Sequence, residues 1–322
     1  MKDWKPTAPL KALKMRAQLY GLVREFFARR GVLEVETPIL SQAANSDPNI
    51  ESFQLQFFGP RSGGVGQRWL RTSPEFHLKR LLAAGLGDCY ELGRVFRNGE
   101  AGKRHNPEFT MLEWYRLGWD HHKLMDECAE FVKAALHLGG KRATIRDVSF
   151  RQLYQDSFGF DPLTASEGEL RGPLAVYGID PTGLVRDDWL DLLMTHLIQP
   201  SIPANRILLV YDYPASQCAL ARIRPGDVPV AERFELYVGG LEVANGYHEL
   251  TDATEQRARF GRDLATRQKR AAIQPPVDER LLASMAKLPG CAGVALGIDR
   301  LLMAMLGRDA IADVVAFPFD RA

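Results

Sequence analysis

The chain has 322 residues, of which 46% are hydrophobic, and its formal net charge of +1 comes from 41 basic and 40 acidic residues. That length can bury one large core or two modest ones, and the balanced charge argues against a dedicated polyanion-binding protein. No long apolar run or signal peptide is present, so we expect a cytoplasmic protein. The cysteines form no CxxC pair and predict neither zinc nor a disulfide framework; they are Cys89, Cys128, Cys218 and Cys291.

The first half of the chain predicts secondary structure through its apolar spacing and its turn residues. Helical stripes predict helices over residues 10–30, 74–84 and 121–138. Shorter runs bounded by turn residues predict strands over residues 31–40, 53–58, 68–71, 89–97 and 108–117. Pro38 suits the first of these strands to a sheet edge, and the glycine-rich stretch 59–67 predicts a mobile hairpin tip.

The second half begins with the least regular part of the sequence. Residues 141–203 hold helical pieces separated by glycine and proline turns, and we interpret them as an insertion and helical cover. Strands are predicted over 207–211 and 234–250, helices over 251–272 and 278–288, and a last strand leads into a helix begun by Asp299. Hairpins outnumber strand–helix–strand crossovers, which favours an antiparallel α+β fold. Neither GxGxxG nor GxxxxGK[ST] is present, so any nucleotide site is of another kind.

Charged residues lie on strand faces that would ordinarily be apolar. Alternation puts Phe109, Glu113 and Tyr115 on one face of the strand 108–117, and Arg97 ends the preceding strand. These residues need a ligand or a partner to be there. The alternative to a ligand is an internal ion pair between Arg97 and Glu113.

A hairpin near residue 240 places two glutamates together. A two-residue turn at 239–240 pairs Tyr237 with Glu242 and Glu235 with Ala244. Glu235 and Glu242 then lie diagonally on one face, roughly 7–8 Å apart at Cα. Carboxylates at this separation repel unless a cation lies between them, and hard oxygen ligands suit Mg²⁺. The alternative is two exposed glutamates on a solvated face.

The next residues break the strand alternation. Glu242 and Glu249 are an odd number of residues apart and would lie on opposite faces. A bulge at Asn245 and Gly246 would return Glu249 to the same face. A second hairpin turn at this Asn-Gly pair is the competing interpretation.

The last segment combines small residues with a cation. Gly293, Ala295 and Gly297 would let a ligand approach the strand closely. Arg300 follows in the first turn of a helix, where its charge opposes the helix dipole, so an anion should hold it. The alternative is an ion pair with Asp299 or a neighbouring carboxylate.

Three segments in chain order carry a family resemblance: GVLEVETP at 31–38, VFRN at 95–98 continuing to HNPEFT at 105–110, and GVALGIDR at 293–300. Together they resemble motifs 1, 2 and 3 of class II aminoacyl-tRNA synthetases, with lysyl-tRNA synthetase the nearest subclass. The resemblance covers nearly the whole chain. It implies one catalytic domain over 1–322, an antiparallel sheet of six or seven strands flanked by helices, and a homodimer formed through motif 1.

The resemblance also implies roles for individual residues. Those expected to bind ATP are Arg97, Asn98, Arg104, His105, Asn106, Phe109, Glu242, Val243, Gly297 and Arg300, with Arg97 and Arg300 catalytic. Those expected to bind the amino acid are Ser73, Glu75, Glu113, Tyr115, Asn245, Glu249 and Ala295. Glu235 and Glu242 would hold Mg²⁺. Three glutamates around one small molecule suit an amino acid with two ammonium groups, namely lysine or an isomer of it.

The acceptor follows from two departures from lysyl-tRNA synthetases. The chain has no residues for the N-terminal OB-fold barrel that reads the anticodon. In this it resembles the shortened bacterial paralogues that ligate β-lysine to a lysine of elongation factor P, so tRNA is not the expected acceptor. Ala295 replaces a glycine usual in lysyl-tRNA synthetases, and its methyl group would disfavour α-lysine by about 1–3 kcal/mol.

Two other functions stay open at this point. One is a minimal ligase that charges tRNA or another small acceptor. The other is an inactive paralogue with a regulatory role, although the ionic residues Arg97, Glu235, Glu242 and Arg300 are intact. The order Gly99-Glu100 is the reverse of the usual family order, which bears on acceptor contacts of this loop.

Overall fold

The structure is a computed structural model that describes residues 4–60 and 66–322. Its helices are α1 (Leu10–Ala28), α2 (Glu75–Ala83), α3 (His121–Leu138), α4 (Phe150–Phe158), α5 (Glu167–Arg171), α6 (Arg186–Leu193), α7 (Gln199–Ser201), α8 (Ala253–Lys269), α9 (Glu279–Met285) and α10 (Ile298–Leu306). Its strands are β1 (Leu33–Glu34), β2 (Leu40–Ser41), β3 (Gln54–Gln56), β4 (Gln67–Leu70), β5 (Cys89–Phe96), β6 (Glu108–Leu117), β7 (Thr144–Ser149), β8 (Arg206–Pro214), β9 (Ile223–Arg224), β10 (Val230–Val238), β11 (Leu241–His248) and β12 (Cys291–Gly297).

The main sheet of the described residues has nine strands in the order β1-β5-β6-β12-β11-β10-β8-β7, with β9 paired to β10. The run from β5 to β8 is antiparallel throughout. At the two edges, β1 pairs with β5 and β7 pairs with β8, both in parallel. The expectation of a purely antiparallel sheet of six or seven strands is therefore wrong at the edges, although it describes the interior.

The predicted edge strand 31–40 is divided in the structure. Only Leu33–Glu34 joins the main sheet, while Leu40–Ser41 pairs with β4 in a separate three-stranded sheet. Pro38 lies between the two pieces, and a proline cannot donate to a strand ladder. The predicted hairpin 53–58/68–71 is present as β3 and β4, and residues 61–65 of its predicted tip lie outside the described residues.

Residues 141–203 contribute a strand as well as helices. β7 extends the main sheet, which corrects the interpretation of this segment as helical cover alone. The helices behind it bury their own apolar cluster against β8 and β10, with Tyr154, Trp189 and Leu193 at its centre. The segment is thus attached to the sheet edge by both hydrogen bonds and a core.

The largest core lies between one sheet face and helices α1, α3 and α10. Phe27, Trp114, Phe131 and Leu302 are fully buried there. Burial of these side chains removes apolar area from water, which is the main stabilising contribution. The predicted helix 10–30 is present as Leu10–Ala28. In the described part of the chain, no helix has the length and apolarity to cross a membrane.

Candidate active site

A cavity of about 910 Å³ opens on the sheet face opposite this core. Alternation along β6 explains the division, since Leu112 and Trp114 enter the core while Glu113 and Tyr115 line the cavity. The predicted site residues that line it are Ser73, Glu75, Arg97, Arg104, His105, Asn106, Phe109, Glu113, Tyr115, Glu235, Glu242, Val243, Asn245, Glu249, Ala295, Gly297 and Arg300. Asn98 does not line it: this residue is exposed, and its N–H donates to the Glu51 carbonyl at 2.8 Å.

One end of the cavity is cationic. The Arg97 guanidinium lies 5.2 Å from the centre of the Phe109 ring and 3.7 Å from Glu100. Arg300 donates to the Glu242 carbonyl at 3.1 Å, and its other nitrogen lies 2.5 Å from His105 Nε2. Burial and then the Arg300 charge lower the pKa of His105. A neutral imidazole beside two guanidinium groups leaves this end suited to a phosphate chain.

The sequence left open that Arg97 forms an internal ion pair with Glu113 and has no ligand to bind. Glu113 lies opposite Glu91 across the β5–β6 ladder, and Arg97 pairs with Glu100 instead of Glu113. The buried partner of Glu91 is Arg71 at 2.6 Å, a residue that sequence reasoning missed. Both members of that pair are buried. Glu91 therefore has a partner other than Arg97, and Arg97 lines the cavity.

Arg300 and Asp299, adjacent in the sequence, have different ion-pair partners. Arg300 lies 3.6 Å from the Glu242 carboxylate, so the neighbouring-carboxylate alternative is met in part. Asp299 is buried, pairs with Arg16 of α1, and accepts the Thr110 N–H at 2.7 Å. Asn106 is likewise held by the protein, since its amide donates to Glu108 and accepts from Phe319.

The β10–β11 hairpin turns at Gly239-Gly240, both with positive φ, and pairs Tyr237 with Glu242 as predicted. The predicted pairing of Glu235 with Ala244 is wrong, because Val243 is an extra residue in β11 and Glu235 pairs with Asn245. The bulge therefore lies two residues earlier than expected.

The bulge at Val243, like the one predicted at Asn245-Gly246, changes the strand face of the residues that follow it. It puts Glu242, Asn245 and Glu249 on the same cavity face, although an odd number of residues separates the two glutamates. β11 continues to His248 without a break, so the alternative of a second hairpin turn at Asn245-Gly246 is wrong.

Glu235 is buried and hydrogen-bonded, which excludes the alternative of two exposed glutamates. It accepts from Tyr213 at 2.7 Å and from Tyr237, and it pairs with Arg233. Burial and then the Glu235 charge raise the pKa of Glu242. Two neighbouring carboxylates, one of which disfavours ionisation of the other, fit a shared divalent cation, with Glu242 the more accessible of the two.

The other end of the cavity is anionic. Glu113 accepts from Ser73 at 2.7 Å and from Tyr115 at 2.9 Å. Burial and then the Glu75 charge raise the pKa of Glu113 to about 8, and burial raises that of Glu249 to about 8. Neither Glu249 oxygen receives a well-directed hydrogen bond from the described residues. Buried carboxylates with unfilled acceptor positions are suited to ammonium groups.

Comparisons with known proteins identify the family of the chain. The model of the family described as tRNA synthetases class II (D, K and N) matches residues 3–321. The chain belongs to this family. It is also 48% identical to an elongation factor P–(R)-β-lysine ligase of Vibrio cholerae, over 99% of both chains. The protein of that name from Yersinia enterocolitica is 46% identical over 99% of this chain and 98% of its own.

Class II synthetase membership confirms the family predicted from the three motifs. Two of the motifs line the cavity: motif 2 with Arg97 and Phe109, and motif 3 with Gly297 and Arg300. The helix that precedes motif 1 supports the site from behind, because Arg16 of α1 pairs with Asp299.

Two charged residues of this class II synthetase site were missed by sequence reasoning. Arg233 donates to Asn245 at 3.2 Å and pairs with Glu235, so it connects Glu235 of β10 with Asn245 of β11. Lys79 of α2 is buried, with its ammonium 2.5 Å from Glu75 and 2.6 Å from Glu249. The only available signal was the i,i+4 spacing of Glu75 and Lys79, which is usual on solvated helices.

β12 provides the floor of the anionic end. Ala295 lies between Glu113 and Asn245 in the sheet, so its methyl group faces the predicted amino-acid position. A Cβ on Gly293 would lie 2.3 Å from the Tyr115 ring and 2.6 Å from Glu249. Only glycine allows Tyr115 and Glu249 to converge at this point.

Proposed function

We propose that this protein activates (R)-β-lysine with ATP as an acyl-adenylate and ligates it to a lysine side chain of elongation factor P. The observation that carries the proposal is one cavity with Arg97 and Arg300 at one end and Glu75, Glu113 and Glu249 at the other. Such a cavity suits a triphosphate beside a small molecule with two ammonium groups. Near-full-length relatives that are named as this ligase support the choice of substrate and acceptor.

The chemistry needs no protein nucleophile. A carboxylate oxygen of the amino acid attacks the α-phosphorus of ATP, and pyrophosphate leaves with the bonding electrons. The acceptor amine then attacks the acyl carbon, AMP leaves, and the amine proton passes to solvent. Arg97 would neutralise charge developing at the α-phosphate, and Arg300 would act at the adenine and the phosphate tail.

The carboxylates of Glu235 and Glu242 would hold Mg²⁺ in this site. Their oxygens are the hard ligands that Mg²⁺ prefers, and the charge of Glu235 already raises the pKa of Glu242. Bound there, Mg²⁺ would offset negative charge on the ATP phosphates. Arg233 holds Glu235 in place for this role.

A homodimer through motif 1 belongs to the same proposal. Leu10 of α1 is 70% exposed and Leu33 of β1 is 51% exposed. Large apolar side chains exposed on a motif 1 helix and strand are suited to an interface between two copies. Sedimentation of the protein should give a dimer mass, and Leu33→Asp should shift it toward monomer.

The test separates activation from transfer. ATP–pyrophosphate exchange is measured with (R)-β-lysine and α-lysine in the absence of tRNA, followed by transfer of labelled β-lysine to elongation factor P. We expect exchange that favours β-lysine and label on elongation factor P. The family description favours tRNA as a second acceptor, so label on tRNA and none on elongation factor P would overturn the proposed acceptor. Absence of exchange would overturn the proposed activity.

A further inference from the structure

The anionic end of the cavity contains a positive charge of its own. Lys79 is 3% exposed and is the i+4 neighbour of Glu75 on α2. Its ammonium lies between Glu75 on the same helix and Glu249 on β11. Burial alone would lower the pKa of Lys79, but the Glu249 and Glu75 charges raise it above its ordinary value. Lys79 is therefore a permanent cation within the site.

Lys79 affects the balance between negative and positive charges in the amino-acid pocket. Glu75, Glu113 and Glu249 are three carboxylates, and a substrate such as β-lysine offers two ammonium groups. With two ammonium groups alone, one buried carboxylate would be left without a counter-charge, which is costly. Lys79 supplies the third positive charge, so a bound dicationic substrate balances the site.

We propose that Lys79 is a positioning residue: it arranges the carboxylates of the amino-acid pocket so that they bind two substrate ammonium groups. This proposal rests on the proposed function. Lys79 does so by holding Glu75 and Glu249 close together around one ammonium group, whose charge favours the ionised form of Glu249. The substrate then completes the hydrogen bonds that Glu249 lacks among the described residues. Lys79 itself does not line the cavity, so it acts through these two carboxylates.

The proposal makes the pH dependence of substrate binding the decisive readout. Several ionisable groups face Glu249: Glu75 and Lys79 of α2, Glu113 and Tyr115 of β6, Tyr247 of β11 and Cys291 of β12. The Lys79 charge favours the ionised form of Glu249, whereas burial, Glu75 and Glu113 oppose it. Without Lys79, Glu249 would stay protonated to a higher pH and would bind an ammonium group only after losing that proton.

The primary experiment compares the wild-type protein with Lys79→Met. ATP–pyrophosphate exchange gives the KM for β-lysine and for ATP between about pH 7 and about pH 9, a range that brackets carboxyl groups with a pKa near 8. We expect the β-lysine KM of Lys79→Met to be about tenfold or more higher at the lower pH and to recover as pH rises, since one unit of pKa is a tenfold effect. The ATP KM should change by less than about twofold. Lys133→Met, on the exposed side of α3, is the matched control and should leave both constants unchanged.

A second pair of variants covers the case in which Lys79→Met does not fold. Glu75→Gln keeps Lys79, whereas Lys79→Met/Glu75→Gln removes one charge of each sign. The double variant should show its KM transition at higher pH than Glu75→Gln. Equal transitions in Glu75→Gln and the double variant, or in wild type and a folded Lys79→Met, would overturn the role of Lys79, because a merely structural lysine would change stability and not this transition.

The proposed function and the role of Lys79 fail in different ways. If wild-type protein gives no exchange with β-lysine, the proposed function fails, and calorimetric binding of 1,5-diaminopentane then decides the role of Lys79. Binding by the wild type that weakens in Lys79→Met would support a diammonium pocket. Equal binding by the two proteins, or no binding by the wild type, would overturn it.

Discussion

Asp299 of α10 and Arg16 of α1 form a buried ion pair across 283 positions of the chain. The same carboxylate accepts the backbone N–H of Thr110 at 2.7 Å. Asp299 thereby joins the helix that precedes motif 1, the strand of motif 2 and the helix of motif 3. Phe109 and Arg300 are the immediate neighbours of the two bonded positions, so their separation depends on this junction.

Arg16→Met tests the junction. Removing the guanidinium leaves Asp299 buried without its partner, which should lower the free energy of unfolding by about 3 kcal/mol. The ATP KM should rise more than the amino-acid KM, because Phe109 and Arg300 lie at the cationic end, where we propose that ATP binds. Urea unfolding and exchange kinetics measure the two effects. Arg29→Met, which breaks an exposed pair with Glu25, should cost less than about 1 kcal/mol; a similar loss in both variants would contradict the prediction.

Ala295→Gly tests the choice between lysine isomers. The methyl group lies between Glu113 and Asn245, and its removal should improve α-lysine relative to β-lysine by about 1–3 kcal/mol in kcat/KM. Exchange assays with each amino acid give this ratio directly. An unchanged ratio would show that the methyl group does not select the substrate.

Gly293→Ala should abolish amino-acid activation while leaving ATP binding in place. The new Cβ would lie 2.3 Å from Tyr115 and 2.6 Å from Glu249, so both side chains must move. We expect kcat/KM for β-lysine to fall by about 100-fold or more, as for misplaced binding groups. Gly290→Ala is the control, since its Cβ would meet nothing within 4 Å. Equal activity of the two variants would mean that Tyr115 and Glu249 do not contact substrate.

Glu113 should make the ligand-free protein less stable as pH rises. Its pKa is raised from an ordinary value of 4.5 to about 8, so between these values the folded state holds a proton that the unfolded state releases. The free energy of unfolding therefore falls with increasing pH in this window. Glu113→Gln should be more stable than wild type by on the order of 4 kcal/mol at pH 8 and by less than about 1 kcal/mol near pH 5.

Urea unfolding at the two pH values, without amino acid, measures this effect. The exposed Glu130→Gln is the control and should change stability by less than about 0.5 kcal/mol. The same Glu113→Gln protein should lose β-lysine activation, which would be a trade of function for stability. A variant that is less stable than wild type at pH 8 would contradict the raised pKa.

The regular elements around the site could be predicted from the sequence. The structure places β6 and α3 at the predicted bounds, Glu108–Leu117 and His121–Leu138. Their signals are local: alternation in the strand, and a helical stripe preceded by Asp120, whose side chain caps the helix by accepting the Lys123 N–H. The site residues predicted from the family resemblance all line one cavity, with the exception of Asn98.

The features that could not be predicted, namely β7, the burial of Lys79 and the bulge at Val243, depend on contacts between residues that are far apart in the sequence. β7 has mostly exposed side chains, so neither alternation nor apolar content marked it, and it is a strand because β8 offers an edge. Lys79 has the sequence pattern of a surface residue, and its burial depends on Glu249, 170 positions later. The bulge at Val243 likewise reflects the pairing of two strands, since no residue type near it requires one.

The extra residue at Val243 makes the length of β11 as important as its composition. Glu242, on one side of it, lies at the cationic end of the cavity, while Asn245 and Glu249, on the other, lie toward the anionic end. Inserting or deleting one residue between them would turn the second group toward the apolar core around Phe234. In this chain, a side-chain substitution along β11 therefore keeps the division between the two ends, whereas a change of length by an odd number of residues would lose it.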